Sequence, residues 1–192
     1  MTPRTQLRRH AERAVPQEAA DILSQGYVAH IGFSIEGQPF VIPFAYHYDP
    51  ATPTSLYLHG APASRTVRHL AKGAPVCVTV TLLDGLVYSR SAKDHSMNYR
   101  SVVCFGHARL LKDAGEKAAL FERMTQRYFP GRTAGSDYDA ALPPDLRSAD
   151  LVEVQIEEWS GKARRGGPKG SKDALPDDAP GTRGVIELRE PS

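Results

Sequence analysis

Hydrophobic positions along this chain recur mostly at every second residue, in short runs separated by glycine, proline and aspartate. Runs at residues 27–35 and 39–48 read as strands, and Glu36-Gly37-Gln38 between them reads as a hairpin turn. Further strand runs fall at 55–59, 75–83, 86–91, 98–111 and 150–159. Asp84-Gly85 is a second hairpin signal and divides 75–91 into two strands. Pro43 cannot donate to a ladder, so its strand should be bulged there or lie at an edge. Gly106 marks a bend or bulge in the longest strand.

Helical signals are fewer. Pro16 and Gly26 bracket a helix over 16–25, and a short helix is predicted over 63–71. Asp113, with Glu116 three residues on, makes a capping-box pattern for a helix over 113–128. Its Phe121, Met124 and Tyr128 form an apolar stripe that belongs to the core. Residues 130–148 read as loop, punctuated by Pro143-Pro144. Residues 1–15 read as a mobile N-terminal arm. Residues 165–192 read as a Gly/Pro-rich tail with a brief strand at 185–188, too polar for a core of its own, which wraps a neighbour or stays mobile. The domain is thus 16–164. No βαβ alternation, dinucleotide fingerprint, Walker sequence or repeat is present. This order predicts a mainly β (α+β) fold, a closed or nearly closed antiparallel barrel of six to seven strands with flanking helices.

Composition narrows the partners. The 192 residues suit one domain, or one domain and a tail, and 24 Lys and Arg against 22 Asp and Glu leave a net charge of +2. That balance argues against a dedicated nucleic-acid partner. No apolar run approaches the roughly 18 residues of a membrane span, and residues 1–15 lack the apolar region of a secretory signal. The cytoplasm is the expected compartment. Cys77 and Cys104 sit in apolar strand-like runs and read as buried small hydrophobes. The histidines lack zinc-ligand spacing, so no metal site is expected.

Candidate chemistry concentrates in Leu56-Tyr57-Leu58-His59-Gly60-Ala61-Pro62-Ala63-Ser64-Arg65-Thr66. A strand ends, glycine permits a sharp turn, and a helix begins with two hydroxyls and a guanidinium. Exposed amides at a helix start suit a phosphate, and Arg65 could bind its oxygens bidentately. The alternative is Ser64 as a plain N-cap and Arg65 as a solvated charge. At residues 40–49, backbone groups freed around Pro43 could bond the edge of a planar heterocycle, or simply form a bulged edge. In 98–106, polar residues enter a strand, with Arg100 as an ion-pair residue.

Together, EGQPFVIPFAYHYD at 36–49, YLHGAPASRT at 57–66, NYRSVVCFGHARL at 98–110 and GEKAALFERM at 115–124 resemble the pyridoxamine 5'-phosphate oxidase-like FMN-binding split barrels. The nearest branch is the nitroimidazole-reductase-like (NimA-type) flavoproteins, and the likeness runs from about residue 12 to Arg164. The resemblance implies a split β-barrel homodimer with FMN at its interface. It implies that the strand carrying Pro43, Phe44, Ala45 and Tyr46 lies along the flavin ring, and that Leu58, His59, Ser64, Arg65 and Thr66 hold ring edge and phosphate. Ser101 would contribute from near the dimer interface, and Trp159 and Lys162 would reach the flavin as an aromatic and basic pair. His59 would stand beside the flavin for proton transfer or stacking, or else close its strand end by bonding backbone. Pyridoxamine-phosphate oxidases proper carry a basic residue where this chain has Tyr46, and their C-terminal arginine-histidine motif is absent after Lys162-Ala163-Arg164-Arg165. Vitamin B6 oxidation is therefore not expected. The resemblance favours an FMN-dependent oxidoreductase passing electrons from a reduced nicotinamide to a small acceptor such as a nitroaromatic or quinone. A non-catalytic FMN carrier or redox sensor, and a haem-binding split barrel, are the alternatives.

Overall fold

A computed structural model describes residues 2–188 of the chain. Its strands are β1 (Val28–Ile35), β2 (Gln38–Tyr48), β3 (Ser55–Gly60), β4 (Pro75–Tyr88), β5 (Ser96–Leu110), β6 (Asp150–Arg164) and β7 (Gly184–Glu187). Its helices are α1 (Ala19–Gln25), α2 (Arg65–Leu70), α3 (Ala114–Tyr128) and α4 (Pro143–Ser148). All strand pairings are antiparallel, in the order β1-β2-β3-β6-β5-β4, and β1 also pairs with β4 to close a six-strand ring. β7 adds to the outside of β4. The fold is therefore the mainly β split barrel with flanking helices that the sequence predicts.

Closure is uneven. β4, β5 and β6 are long and pair over most of their length. The β1–β4 seam has only His30↔Thr79, Ile31↔Val78 and Gly32↔Cys77, and the β2–β3 seam only Tyr46↔Leu58, His47↔Tyr57 and Tyr48↔Leu56. Alternation puts Ile31, Leu56, Val78, Val80, Val102, Cys104 and Val154 inside, where they form the main core. Cys104 is buried as expected, whereas Cys77 is only partly covered. A smaller cluster of Leu111, Leu120, Met124 and Leu151, with Tyr57 and Phe121 against it, seats α3 on the outer face of the barrel.

Local chemistry explains most elements. Glu36 and Gly37 have φ of 50° and 82°, the left-handed pair of a two-residue hairpin, and Gln38 already pairs with Ile35. Asp113 caps α3 by accepting the Glu116 N–H at 2.7 Å. Gly106 sits at a register shift between β5 and β6, where a Cβ would overlap the Gln155 backbone.

Three expectations change. Asp84-Gly85 is not a hairpin, because β4 runs on through it. Leu83 pairs with Tyr99 and Gly85 with Asn98, so Asp84 is the extra residue of a bulge. Arg100 grips its carboxylate, Nη2 donating at 2.7 Å and Nε at 3.0 Å. The stretch 130–148, read as loop, contains α4, whose first turn opens on Pro143-Pro144. β6 also continues to Arg164, because β5 offers it partners up to Tyr99.

The described segments before α1 and after β6 are placed against the barrel. Arg4 pairs with Glu157 at 3.0 Å and Glu158 at 2.7 Å on β6. After Arg164 the chain crosses the end of β4, where buried Asp173 accepts from Ser89 Oγ at 2.8 Å and from the Arg90 N–H at 2.9 Å. Arg90 returns the tie by donating to the Leu175 carbonyl at 2.9 Å.

Candidate functional site

The short β2–β3 seam creates the first feature of the site. From Gln38 to Ala45, β2 pairs with β1 alone, leaving its other edge without a strand. Pro43 lies within this half-paired stretch, opposite His30 and without a bulge. A proline nitrogen, which has no hydrogen to donate, is tolerated there because that edge carries no ladder. Phe40, Ile42 and Phe44 pack against the core, while Pro39, Val41, Pro43 and Ala45 face out.

Beside that edge, β3 turns into α2. A Cβ on Gly60 would stand 2.8 Å from Val67 Cγ2 and 3.8 Å from Phe44, so glycine allows the helix to come close against β2 and β3. Ser64 is the N-cap residue of α2 but makes no side-chain cap bond. Arg65 has no carboxylate partner among the described residues; its guanidinium lies 4.2 Å over the Phe40 ring, which holds it above the open edge. Thr66 is turned inward, buried in the first turn. Ser64, Arg65, Phe44 and the edge of β2 thus share one corner.

Leu58 and Tyr46 frame the corner from within. Leu58 is buried and laddered on both sides, to Tyr46 and to Val152. The Tyr46 side chain is in the core, its hydroxyl donating to the Leu23 carbonyl at 2.6 Å, and burial pushes its pKa well above the ordinary tyrosine value. Where β2 leaves β1, the Tyr128 hydroxyl fills the gap. It accepts the Tyr46 N–H at 2.8 Å and faces the carbonyls of Tyr46 at 2.6 Å and Tyr27 at 3.1 Å. Arg127 secures the same junction, donating to the Tyr48 carbonyl at 3.2 Å and to the α1 terminal carbonyl of Leu23 at 3.0 Å.

His59 opens onto a groove of about 410 Å3 shared with Ala45, Phe121, Met124, Thr125, Tyr128 and Phe129. Its ring meets Phe121 edge-on at 5.8 Å. Partial burial lowers its pKa below the usual histidine value, so the imidazole is neutral at neutral pH and offers one donor and one acceptor. Ala45 belongs both to this groove and to the open edge, which makes groove and corner continuous.

Ser101, Trp159 and Lys162 form a separate group on the β5–β6 ladder. Ser101 pairs with Lys162, its hydroxyl 3.4 Å from the Lys162 carbonyl, and Trp159 pairs with Cys104. His59 pairs with Leu151 at the other end of β6. At about 3.3 Å per residue, Trp159 and Lys162 lie roughly 26 and 36 Å from that pair along the strand. Within one chain the two groups do not meet.

Tyr128 and Arg127 are the site residues that sequence reasoning missed. Tyr128 reads as part of the core stripe of α3 and Arg127 carries no signal, yet Tyr128 and Phe121 are only partly buried and line the His59 groove. Only the parting of β1 and β2 gives them their task. Among the described residues, no group of three or more His, Cys, Asp and Glu is placed to hold a metal, and no helix is long and apolar enough to cross a membrane.

A closed six-strand antiparallel barrel with one half-paired strand beside Ser64 and Arg65 defines a split barrel. Residues 16–163 match the pyridoxamine 5'-phosphate oxidase family, and the chain belongs to that family. Its fold is similar to the flavocytochrome Anf3 from Azotobacter vinelandii, with TM-score 0.85 and 30% identity, covering 100% of this chain and 86% of that one. It is also similar to an FAD and haem binding protein from Mycobacterium smegmatis, with TM-score 0.81 and 29% identity over 92% of this chain and 84% of the other. A candidate 5-nitroimidazole antibiotic resistance protein from Bacteroides thetaiotaomicron aligns with TM-score 0.63 and 25% identity over 78% and 86%. The branch singled out from the sequence is thus represented among the similar structures. Among curated protein sequences, none matches this chain.

Proposed function

We propose that this protein binds a flavin, FMN, in the corner between the open edge of β2 and the start of α2, and works as a flavin-dependent oxidoreductase. The observation that carries the reading is the half-paired stretch from Gln38 to Ala45 lying beside uncapped Ser64 and carboxylate-free Arg65. The donor set fits the group: a guanidinium, a free hydroxyl and helix-start amides for a phosphate, and unladdered backbone at Pro43, Phe44 and Ala45 for a ring edge. The names of two similar structures, a flavocytochrome and an FAD and haem binding protein, support a flavin in this fold.

Bound there, the flavin would supply hydride and electron transfer. Arg65 and Ser64 hold the phosphate, and the β2 edge orients the ring. Phe121, Met124 and Phe129 limit water in the groove. Neutral His59 hydrogen-bonds a substrate atom or moves a proton there. A reduced nicotinamide is the donor in this reading, and a nitroaromatic or quinone the acceptor. Trp159, Lys162 and Ser101 reach the corner only from a second copy, so the active form is a homodimer.

Purified protein should be yellow and release FMN on denaturation, and anaerobic NADH or NADPH should bleach it. A colourless chain that cannot be reconstituted with FMN or FAD overturns the reading. Bound flavin with no nicotinamide oxidation and any acceptor would make it a carrier or sensor. Haem is a second reading with its own support: the two similar structures named for haem or as a flavocytochrome cover 92% and 100% of this chain, and so take in the tail, whereas the nitroimidazole-type structure covers 78%. A Soret band on haem titration would establish it.

A further inference from the structure

A second gathering of positive charge lies away from the β3–α2 corner. The segment before α1 is laid along the end of β6, where the Val15 N–H donates to the Gly161 carbonyl at 2.9 Å and Ala14 bridges to Lys162. A Cβ at Gly161 would overlap the Val15 backbone, so glycine is what lets the segments come this close. Between them is a pocket of about 220 Å3, lined by Glu12, Arg13, Val15, Arg164, Arg165 and Lys169.

Arg164 stands out because it is only 8% exposed and no carboxylate pairs with it among the described residues. Its Nη1 donates to Asn98 Oδ1 at 2.6 Å and to the Gly166 carbonyl at 3.1 Å, and its Nη2 to the Gly167 carbonyl at 3.2 Å. A guanidinium carries five N–H groups, so the one on Nε and one on Nη2 have no partner among the described residues. Burial, and next the charge of Arg13, push its pKa below the usual arginine value. The other charges in the pocket do not relieve it. Glu12 is turned to His10 at 3.1 Å and stands 3.8 Å from Arg13, Glu18 is taken by Arg165 at 3.1 Å, and Lys169 is exposed without a partner among the described residues. Arg13 and Arg165 thus have carboxylate neighbours, whereas Arg164 and Lys169 have none among the described residues, and a nearly buried cation is costly unless an anion joins it.

We propose that this pocket is an anion site for a phosphate or diphosphate group of a dinucleotide, with Arg164 and Arg13 as donors and Lys169 as the closing charge. Planar guanidinium groups match phosphoryl oxygens in pairs. Flavin and nicotinamide dinucleotides share this chemistry, and competition distinguishes them. The two phosphates of a flavin dinucleotide are adjacent, whereas the pocket and the Arg65 corner of one chain lie at opposite ends of β6, so a flavin held at that corner would use the pocket of the partner subunit.

The test is isothermal titration calorimetry of the full chain with sodium pyrophosphate. Binding of one pyrophosphate per chain, weakened by added salt, is expected. The double variant Arg13→Gln/Lys169→Gln should lose about tenfold or more in affinity, with an unchanged circular dichroism spectrum and urea midpoint. If FAD outbinds FMN and the double variant erases the difference, the dinucleotide is the flavin's. If NADPH displaces pyrophosphate, it is the nicotinamide's. No heat with pyrophosphate at about millimolar concentration, equal affinity in the double variant, or displacement by neither dinucleotide overturns the proposal. A chain that binds FMN but not pyrophosphate refutes only the anion site. One that binds pyrophosphate but no flavin refutes only the function proposed above.

Discussion

Replacing Tyr128 by phenylalanine isolates one oxygen on which the open edge of β2 depends. That oxygen accepts the Tyr46 N–H at 2.8 Å, and its single proton goes to the Tyr46 carbonyl at 2.6 Å or the Tyr27 carbonyl at 3.1 Å. Burial raises the hydroxyl's pKa, with the bond to Tyr46 opposing, so it stays protonated at neutral pH and can both donate and accept. Tyr128→Phe keeps the ring, and with it the Tyr27 contact at 5.9 Å. What is lost is one net hydrogen bond, worth about 0.5–1.5 kcal/mol, plus the penalty for a stranded amide, about 1–3 kcal/mol when fully buried. The junction is only half-buried and water can reach part of it, so the expected cost is about 1–2 kcal/mol. Urea denaturation should show a lower midpoint with an unchanged slope, and FMN affinity should fall because Ala45 is the last residue of β2 paired to β1. A midpoint equal to the wild type would refute the idea that this hydroxyl closes the ladder gap. A changed slope would show that the variant alters compactness instead.

Arg65→Gln should weaken FMN binding by about tenfold or more while barely moving the urea midpoint, since its guanidinium touches only the exposed face of Phe40; equilibrium dialysis decides this. Gly106→Ala should destabilise the fold by about 3 kcal/mol or more, because its Cβ has no room against the Gln155 backbone, and a soluble variant with wild-type melting would contradict that. His47 is buried with both ring nitrogens unpartnered, and burial, then Arg127 and Arg123, lower its pKa, with Asp49 opposing. The unfolded chain therefore takes up the proton first, so stability is full above about pH 6.5 and declines as pH falls below it. Urea midpoints against pH should lose part of this decline in His47→Gln, and an identical profile would count against it. Asp173→Ala removes the acceptor of Ser89, Arg90 and Gly170, so limited proteolysis should cut faster within residues 166–183, without loss of the barrel.

Features decided by neighbours in sequence were legible, and those decided by strand register were not. The turn at Glu36-Gly37 and the Asp113 cap follow from local stereochemistry, and the structure shows both. The glycine at 106 marks a bend in the sequence, but what crowds it is Gln155 across the ladder. Asp84-Gly85 carries the same local signal as a hairpin, but β5 pairs with both of its flanks and overrides it. The run at Ser64-Arg65-Thr66 could be recognised as a helix start suited to a phosphate. That Arg65 would lie over Phe40 could not, because the two are brought together by the short β2–β3 seam. Nothing in the sequence singles out Arg164 from its basic neighbours Lys162 and Arg165. Its burial comes from the N-terminal segment folding over β6, a contact between residues about 150 positions apart that no periodicity encodes.

The open edge itself bears on what the corner is for. An unpaired stretch of strand is a hazard, since its free amides and carbonyls invite other chains to add to the sheet. Here the hazard is blunted by chemistry rather than by cover. Pro39 and Pro43 remove two donors from the half-paired stretch, and no segment among the described residues ladders onto it. Yet the outward face keeps Val41, 66% exposed, between those prolines, an arrangement that costs free energy in an isolated chain and would be relieved by an apolar partner surface. Covering the edge with a strand would have been the simpler way to build a stable barrel. Leaving it half-paired, guarded by prolines and flanked by the Arg65 guanidinium, is the arrangement that the proposed flavin on the edge and the proposed second copy across the face would require.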